Sequence, residues 1–198
     1  MSKEQIGEGK RTLYKGFLTV EKDLETGYEI INATDSIAVL IHVVDQRTVI
    51  LISQPRTPMK TKENPEGISH EMPAGRFDIE IGTKALMVKE VWEEARAKIT
   101  EDAIFLLNDG KPVSLSPGIL TEVMYLGYAE ITSLQMEEVP EGMLLGLAEE
   151  HEKITRKLIP IHELRSMVFD NMTAMLLVQW FLYKNLQMEI PMRKARTK

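Results

Sequence analysis

The sequence predicts an α+β fold, and three observations carry that prediction. β-forming runs crowd the first two-thirds of the chain, an amphipathic helix interrupts them, and a strongly apolar helix lies near the C-terminal end. Strands and helices segregate rather than alternate, which disfavours a doubly wound repeat. The length of 198 residues fits one domain with an extension. With 43% hydrophobic and 27% charged residues, the chain has the composition of one that buries a core.

The elements follow in order. Residues 1–10 are polar and expected to fray. From Thr12 to Ile31, β-formers flank a turn at Glu25-Thr26-Gly27, which predicts a hairpin. Ile37–Val44 and Val49–Ser53 flank Asp45-Gln46-Arg47 and read as a hairpin of core strands, apolar at most positions. Between Pro55 and Ser69, three prolines and Gly67 predict a long loop, of the kind that often carries function. The segment Glu71-Met72-Pro73-Ala74-Gly75 ends in a turn. Val88, Val91, Trp92, Ala95 and Ile99 recur at helical spacing and predict a helix from Thr83 to about Ile99 with these residues buried. Ile104–Leu107, Val123–Glu130 and Ile154–Ile161 read as strands, with a turn at Ser116-Pro117-Gly118. The last helix, about Thr173 to Gln187, is apolar nearly all round and is expected to be buried on more than one side. The division expected is an N-terminal β extension over 1–35, a main domain over 36–190 and a basic tail over 191–198.

Composition excludes several classes. A net charge of −6 opposes a general nucleic-acid binder, which needs a basic surface. The absence of cysteine removes disulfides, thiolate metal sites and cysteine nucleophiles. His42, His70, His151 and His162 form no paired ligand spacing. His42 sits in an apolar strand and is expected to be a satisfied core histidine. The N-terminal residues lack a signal-peptide core, and no apolar run approaches the roughly 20 residues that span a bilayer. These features point to a cytoplasmic protein with neither nucleic-acid nor membrane partners.

The chemistry concentrates on the central helix. Glu90, Glu93 and Glu94 stand at i, i+3 and i+4, so three carboxylates share one flank, opposite Val88 and Trp92. Acidic faces are common on solvated helices, but this one has only Lys89 and Arg96 at its edge as counter-charge. A hard divalent cation such as Mg²⁺, taking carboxylate oxygens and phosphates, satisfies such a cluster. Pro73-Ala74-Gly75 lies just upstream and can offer main-chain groups to a metal or phosphate. Glu122 ends a Pro-Gly loop downstream.

From Gly75 the sequence reads GRFDIEIGTKALMVKEVWEEARA, which resembles the Nudix box, G-x5-E-x7-R-E-U-x-E-E-x-G-U with U aliphatic. The spacing from Gly75 to Glu90, Val91, Glu93 and Glu94 is kept; Ile81, Lys89 and Arg96 depart from the pattern. Around it, Glu71 to Gly75 is similar to the E-L-P-A-G entry of the ADP-ribose and ADP-sugar pyrophosphatase branch. Gln54-Pro55-Arg56, Ser116-Pro117-Gly118 with Glu122, and the acidic stretch 146–152 resemble further segments of that branch, in the expected order over residues 14–187. The resemblance implies a Nudix α/β/α sandwich and hydrolysis of ADP-ribose or a related nucleoside diphosphate sugar, with Mg²⁺ (or Mn²⁺) as cofactor. On this likeness Ala74, Glu90, Glu93 and Glu94 hold metal, Glu122 and Glu93 are catalytic, and Arg56 and Glu71 contact substrate. Glu122 is the general base. The alternative is a catalytically weak or inactive relative that binds an ADP-ribose-like ligand. A homodimer is expected, built through the N-terminal extension and the apolar last helix. Without glycine at Arg96, the central helix is expected to run on to Lys98 or Ile99.

Overall fold

The computed structural model describes residues 9–140, 142–147, 149 and 152–189. The polar residues 1–8, His151 and the basic tail over 191–198 lie outside them. Among the described residues two sheets and two long helices make up the α+β fold. The first sheet contains only β1 (Lys10–Lys15), β2 (Thr19–Asp23) and β3 (Glu29–Asn32), paired antiparallel in that order. The expected hairpin is therefore β2–β3 with one more strand added. Gly27 supplies the positive φ of its turn, and the Asp23 carboxylate accepts the Thr26 N–H at 2.7 Å.

The second sheet is the body. Its order is β11 (Thr155–Pro160), β5 (Thr48–Pro55), β4 (Ser36–Val43), β10 (Val123–Ile131) and β8 (Phe105–Leu106). Three short strands pair with its inner strands: β6 (Ile68–Glu71) with β5, β7 (Ala74–Arg76) with β4 and β9 (Val113–Ser114) with β10. β4 and β10 run parallel, while the other pairs are antiparallel. A sheet centre covered on both faces explains why β4 and β5 read as continuous apolar runs.

Side-chain alternation sends the two faces of this sheet to different helices. Ile37, Val39 and Ile41, with Ile50, Ala129 and Ile131, pack with Leu86, Met87, Val91 and Ala95 of α1 (Thr83–Ala95). Ala38 and Leu40, with Val49, Leu51 and Leu126, pack with Ala174, Leu177, Val178 and Phe181 of α3 (Met172–Glu189). The four-residue α2 (Ile161–Leu164) follows β11 and adds Leu164 to that second cluster.

Three expectations are corrected. First, α1 ends at Ala95. Arg96 itself takes the left-handed conformation, φ 49° and ψ 41°, and its N–H bonds the Trp92 carbonyl at 3.1 Å. The next residues are pulled away by Lys98 N–H to the Gln135 carbonyl, and the Arg96 guanidinium lies 5.1 Å over the Trp92 ring. Second, the buried side of α1 is Leu86, Met87, Val91, Glu94 and Ala95, while Val88 and Trp92 are half-exposed beside a shallow apolar hollow. Third, α3 is buried on one face only; Met172, Met175, Leu176 and Tyr183 are exposed on the other. His42 behaves as expected: it is half-buried, edge-on to Phe181 and near Glu130. No described helix is long and apolar enough to cross a membrane.

Candidate functional site

The site forms where α1 crosses the short strand β7. β7 pairs with β4, with Ala74 opposite Ala38 and Gly75 opposite Ile37, so the Pro73-Ala74-Gly75 turn is fixed to the central strand. The Ala74 N–H donates to Glu94 Oε2 at 2.8 Å. A Cβ added to Gly75 falls 2.3 Å from Glu90 Cδ. Any side chain at position 75 would displace Glu90 from its place against this backbone. Two of the three clustered carboxylates are thereby seated on the turn that precedes them in sequence.

Their environment is unusual. Glu94 is 2% exposed, and among the described residues its one hydrogen-bond partner is Ala74. Burial pushes its carboxyl well above the usual carboxylate range; the Ala74 N–H pulls the other way, and the charges of Glu90 and Glu152 push it further up. Burial likewise raises Glu90 to about 7, against the pull of the Lys89 ammonium. Glu93 is tied on both sides: its side chain accepts Lys89 Nζ at 2.7 Å and its main-chain carbonyl accepts Gly146 N–H at 3.2 Å. Lys89 also reaches Glu90 Oε1 at 3.2 Å. Burial lowers the Lys89 pKa, but the hydrogen bond to Glu93 and the Glu90 charge outweigh it, so the net shift is upward. Glu90 and Glu94 are thus carboxylates held where ionisation is costly, with the Lys89 ammonium on Glu90 and the Arg56 charge reaching Glu94.

The remaining expected residues fall into two further groups. Arg56, at the end of β5, and Glu71, on β6, face each other across that strand pair. They form a two-pronged pair, Nε to Oε1 at 3.0 Å and Nη2 to Oε2 at 2.8 Å. Gln54 adds a third donor to Glu71 at 3.3 Å. Burial raises the Glu71 pKa, but the Arg56 hydrogen bonds overcome it and hold the carboxyl below its ordinary value. The Arg56 charge also reaches Glu94, so this pair borders the cluster. Glu122 precedes β10 and accepts the Ser36 hydroxyl at the start of β4. Among the described contacts it joins neither the α1 cluster nor the Arg56–Glu71 pair.

Sequence reasoning assigned no role to Glu152. Its charge raises the pKa of both Glu90 and Glu94. Its loop is anchored by Gly146 N–H on Glu93, and Glu152 Oε2 accepts the Leu147 N–H at 2.9 Å. Gly146, at φ 86°, was the available signal: a Cβ there falls 2.5 Å from Glu152 Oε2. Among the described residues, no three carboxylate or imidazole groups enclose a point that could hold a metal ion as they are placed. The donor chemistry nonetheless fits a hard cation: all the groups are oxygen ligands, and Glu94 is a buried carboxylate without an ion-pair partner among the described residues. No protein-family profile matches the sequence, and no curated protein sequence matches it.

Proposed function

We propose that this chain is a Nudix hydrolase of the ADP-ribose/ADP-sugar type. In this reading it uses Mg²⁺ to cleave the diphosphate of ADP-ribose or a related nucleoside diphosphate sugar into a nucleoside monophosphate and a sugar phosphate. The observation that carries the reading is the seating of Glu90 and Glu94 on the Ala74-Gly75 turn. It joins the two halves of the box that the sequence likeness rests on. Glu90, Glu93 and Glu94 would hold the metal with the Ala74 carbonyl, and Glu152 is the further carboxylate facing them. A bound divalent ion supplies charge neutralisation at the phosphate oxygens. Glu122 takes the proton of the attacking water, which requires its loop to leave Ser36 and close over the substrate. The water oxygen bonds one phosphorus, the bond to the bridging oxygen breaks, and the departing phosphate keeps that oxygen. Glu71 aims the Arg56 fork, leaving the outer guanidinium edge for phosphate or sugar oxygens.

One observation favours the alternative, a ligand-binding relative with little turnover: Lys89 occupies the acidic cluster. Product analysis separates the two readings. ADP-ribose, GDP-mannose, UDP-glucose and dinucleoside polyphosphates are each incubated with the protein and Mg²⁺ or Mn²⁺. AMP and ribose 5-phosphate from ADP-ribose, lost in Glu94→Gln, support the hydrolase. Calorimetric binding of ADP-ribose with no product under either metal establishes the binding protein instead.

The same reading includes a homodimer. Leu13 and Tyr14 on β1, and Phe17, Leu24 and Tyr28 in the turns of the first sheet, are exposed, as are Met172, Met175, Leu176 and Tyr183 of α3. A second copy covering them accounts for apolar surface that this chain leaves open.

A further inference from the structure

We infer that Lys89 is a built-in counter-cation of the acidic cluster, and that a divalent ion enters by displacing its ammonium from Glu90 and Glu93. This inference rests on the metal reading above and concerns how that site is filled.

The argument starts from place. Lys89 lies on α1 one residue before Glu90 and four before Glu93. A lysine preceding a glutamate by four residues is the weaker order for a helical ion pair. Yet the ammonium is drawn onto the cluster, 2.7 Å from Glu93 Oε2 and 3.2 Å from Glu90 Oε1. The two carboxylates are 19% and 13% exposed at their side chains, so water screens them poorly. The lysine side chain, at 35%, is the most open member of the trio and has a path outward.

The oxygens it holds are those a metal needs. Mg²⁺ takes oxygen ligands in near-octahedral order at short range, one or two of them from carboxylates and the rest from water or phosphate. Glu90 and Glu93 each give one oxygen to the ammonium. A divalent ion on those oxygens and an ammonium at hydrogen-bond distance from them would be like charges a few ångströms apart. One must leave, and only the lysine is on a flexible four-carbon stem. This also accounts for the absence of a preformed metal cage among the described residues: Glu93 is turned toward Lys89. Glu94, seated on Ala74 and buried, lies outside the exchange.

The experiment compares wild type, Lys89→Gln and Lys89→Arg. Mn²⁺ binding is read by electron paramagnetic resonance, and Tm is measured in EDTA and in Mn²⁺. Lys89→Gln should bind Mn²⁺ about tenfold more tightly, the scale of one partly screened charge interaction. Its Tm should be lower in EDTA, where the carboxylates lose their cation, and Mn²⁺ should raise it by more than in wild type. Lys89→Arg should stay near wild type in affinity. A Lys89 that only braces the helix would lower the Tm of Lys89→Gln and leave the Mn²⁺ affinity unchanged, which overturns the inference. A second measurement needs no variant: acetylation of Lys89 in the wild-type protein, quantified by mass spectrometry, should rise several-fold when Mg²⁺ is added. Equal or reduced labelling with saturating Mg²⁺ overturns it as well. If no protein of the series binds Mn²⁺, the metal reading itself falls and the exchange with it. Equal Mn²⁺ binding across the series refutes the exchange alone.

Discussion

The two sheets of this molecule are built on opposite principles. The body sheet buries its apolar side chains on both faces, and Ile37, Val39, Leu40, Ile41, Val49, Ile50, Leu51 and Ile52 are all fully enclosed. The N-terminal sheet buries no apolar side chain at all; its one buried residue is Glu21, held by Asn32 and facing Lys10. Three short strands without a covered face do not stand alone in water. This sheet hangs on the body by main-chain bonds from Ile31 to Ile119 and Thr121, and by Phe17 stacked on Arg76 at 4.4 Å. The contrast teaches where stability resides and where the candidate site lies. The body carries folding and the buried carboxylates, and the extension offers surface.

The contrast breaks most visibly in the body core. Phe181→Ala removes a fully buried ring between α3 and the sheet and should cost about 3–5 kcal/mol in chemical denaturation. No single substitution in residues 9–32 should approach that figure. Glu94→Gln comes next, and it separates function from folding within the body. On the proposed hydrolase reading, turnover should fall at least about a hundredfold, while the amide oxygen still accepts the Ala74 N–H and stability moves by under about 1 kcal/mol. A steady-state assay and a melt on the same preparation check both halves.

The third test uses pH. A carboxyl raised from 4.5 to about 7 in the folded state is worth about 3 kcal/mol of stability. That contribution is complete below the unfolded value near 4.5 and is lost as pH rises through about 7. Metal-free Glu90→Gln, which cannot ionise, should therefore gain in Tm relative to wild type between pH 5 and pH 8. A constant difference across that range would show that Glu90 is not held against ionisation. Added Mg²⁺ should help wild type more at pH 8 than at pH 6, because the metal takes the ionised form.

Two smaller effects sharpen the other side. Removal of residues 1–33 should leave a cooperative melt within a few degrees of the full chain, and light scattering should show the expected dimer mass falling to monomer. Tyr28→Ser is the smallest: the ring is 69% exposed, so denaturant stability should change by less than about 0.5 kcal/mol. A loss of dimer mass in that variant, at unchanged stability, would place Tyr28 inside the contact between copies.

The same contrast explains what the sequence disclosed. β4, β5, β10 and β11 were legible because long apolar or alternating runs tolerate few other readings, and α3 because its pattern lasts several turns. β6, β7 and β9 are two to four residues long and carry no period to read. The end of α1 was illegible because Arg96 adopts a conformation usually reserved for glycine, with Trp92 beneath its guanidinium. The carboxylate flank was visible from i, i+3, i+4 spacing. Its contacts were not: the Ala74–Glu94 bond, the Arg56–Glu71 fork and the Glu152 approach depend on strand register and loop return. Those are tertiary facts without a local signature.

The parallel pairing of β4 with β10 sets the order in which this molecule can assemble. Bonds at both ends of that pair join residues 88 apart in sequence, Val123 N–H to Asp35 and Ser133 N–H to Asp45. β7, α1 and every carboxylate of the cluster except Glu152 lie inside the chain so enclosed. Local structure can form early in α1, but the long closure must be made before the sheet rewards it. A ribosome that has released only the first hundred residues therefore displays the acidic helix before β10 has paired with β4, without Ala129 and Ile131 in the core beneath it. The core beneath the candidate site is therefore completed late in synthesis, after β10 has emerged.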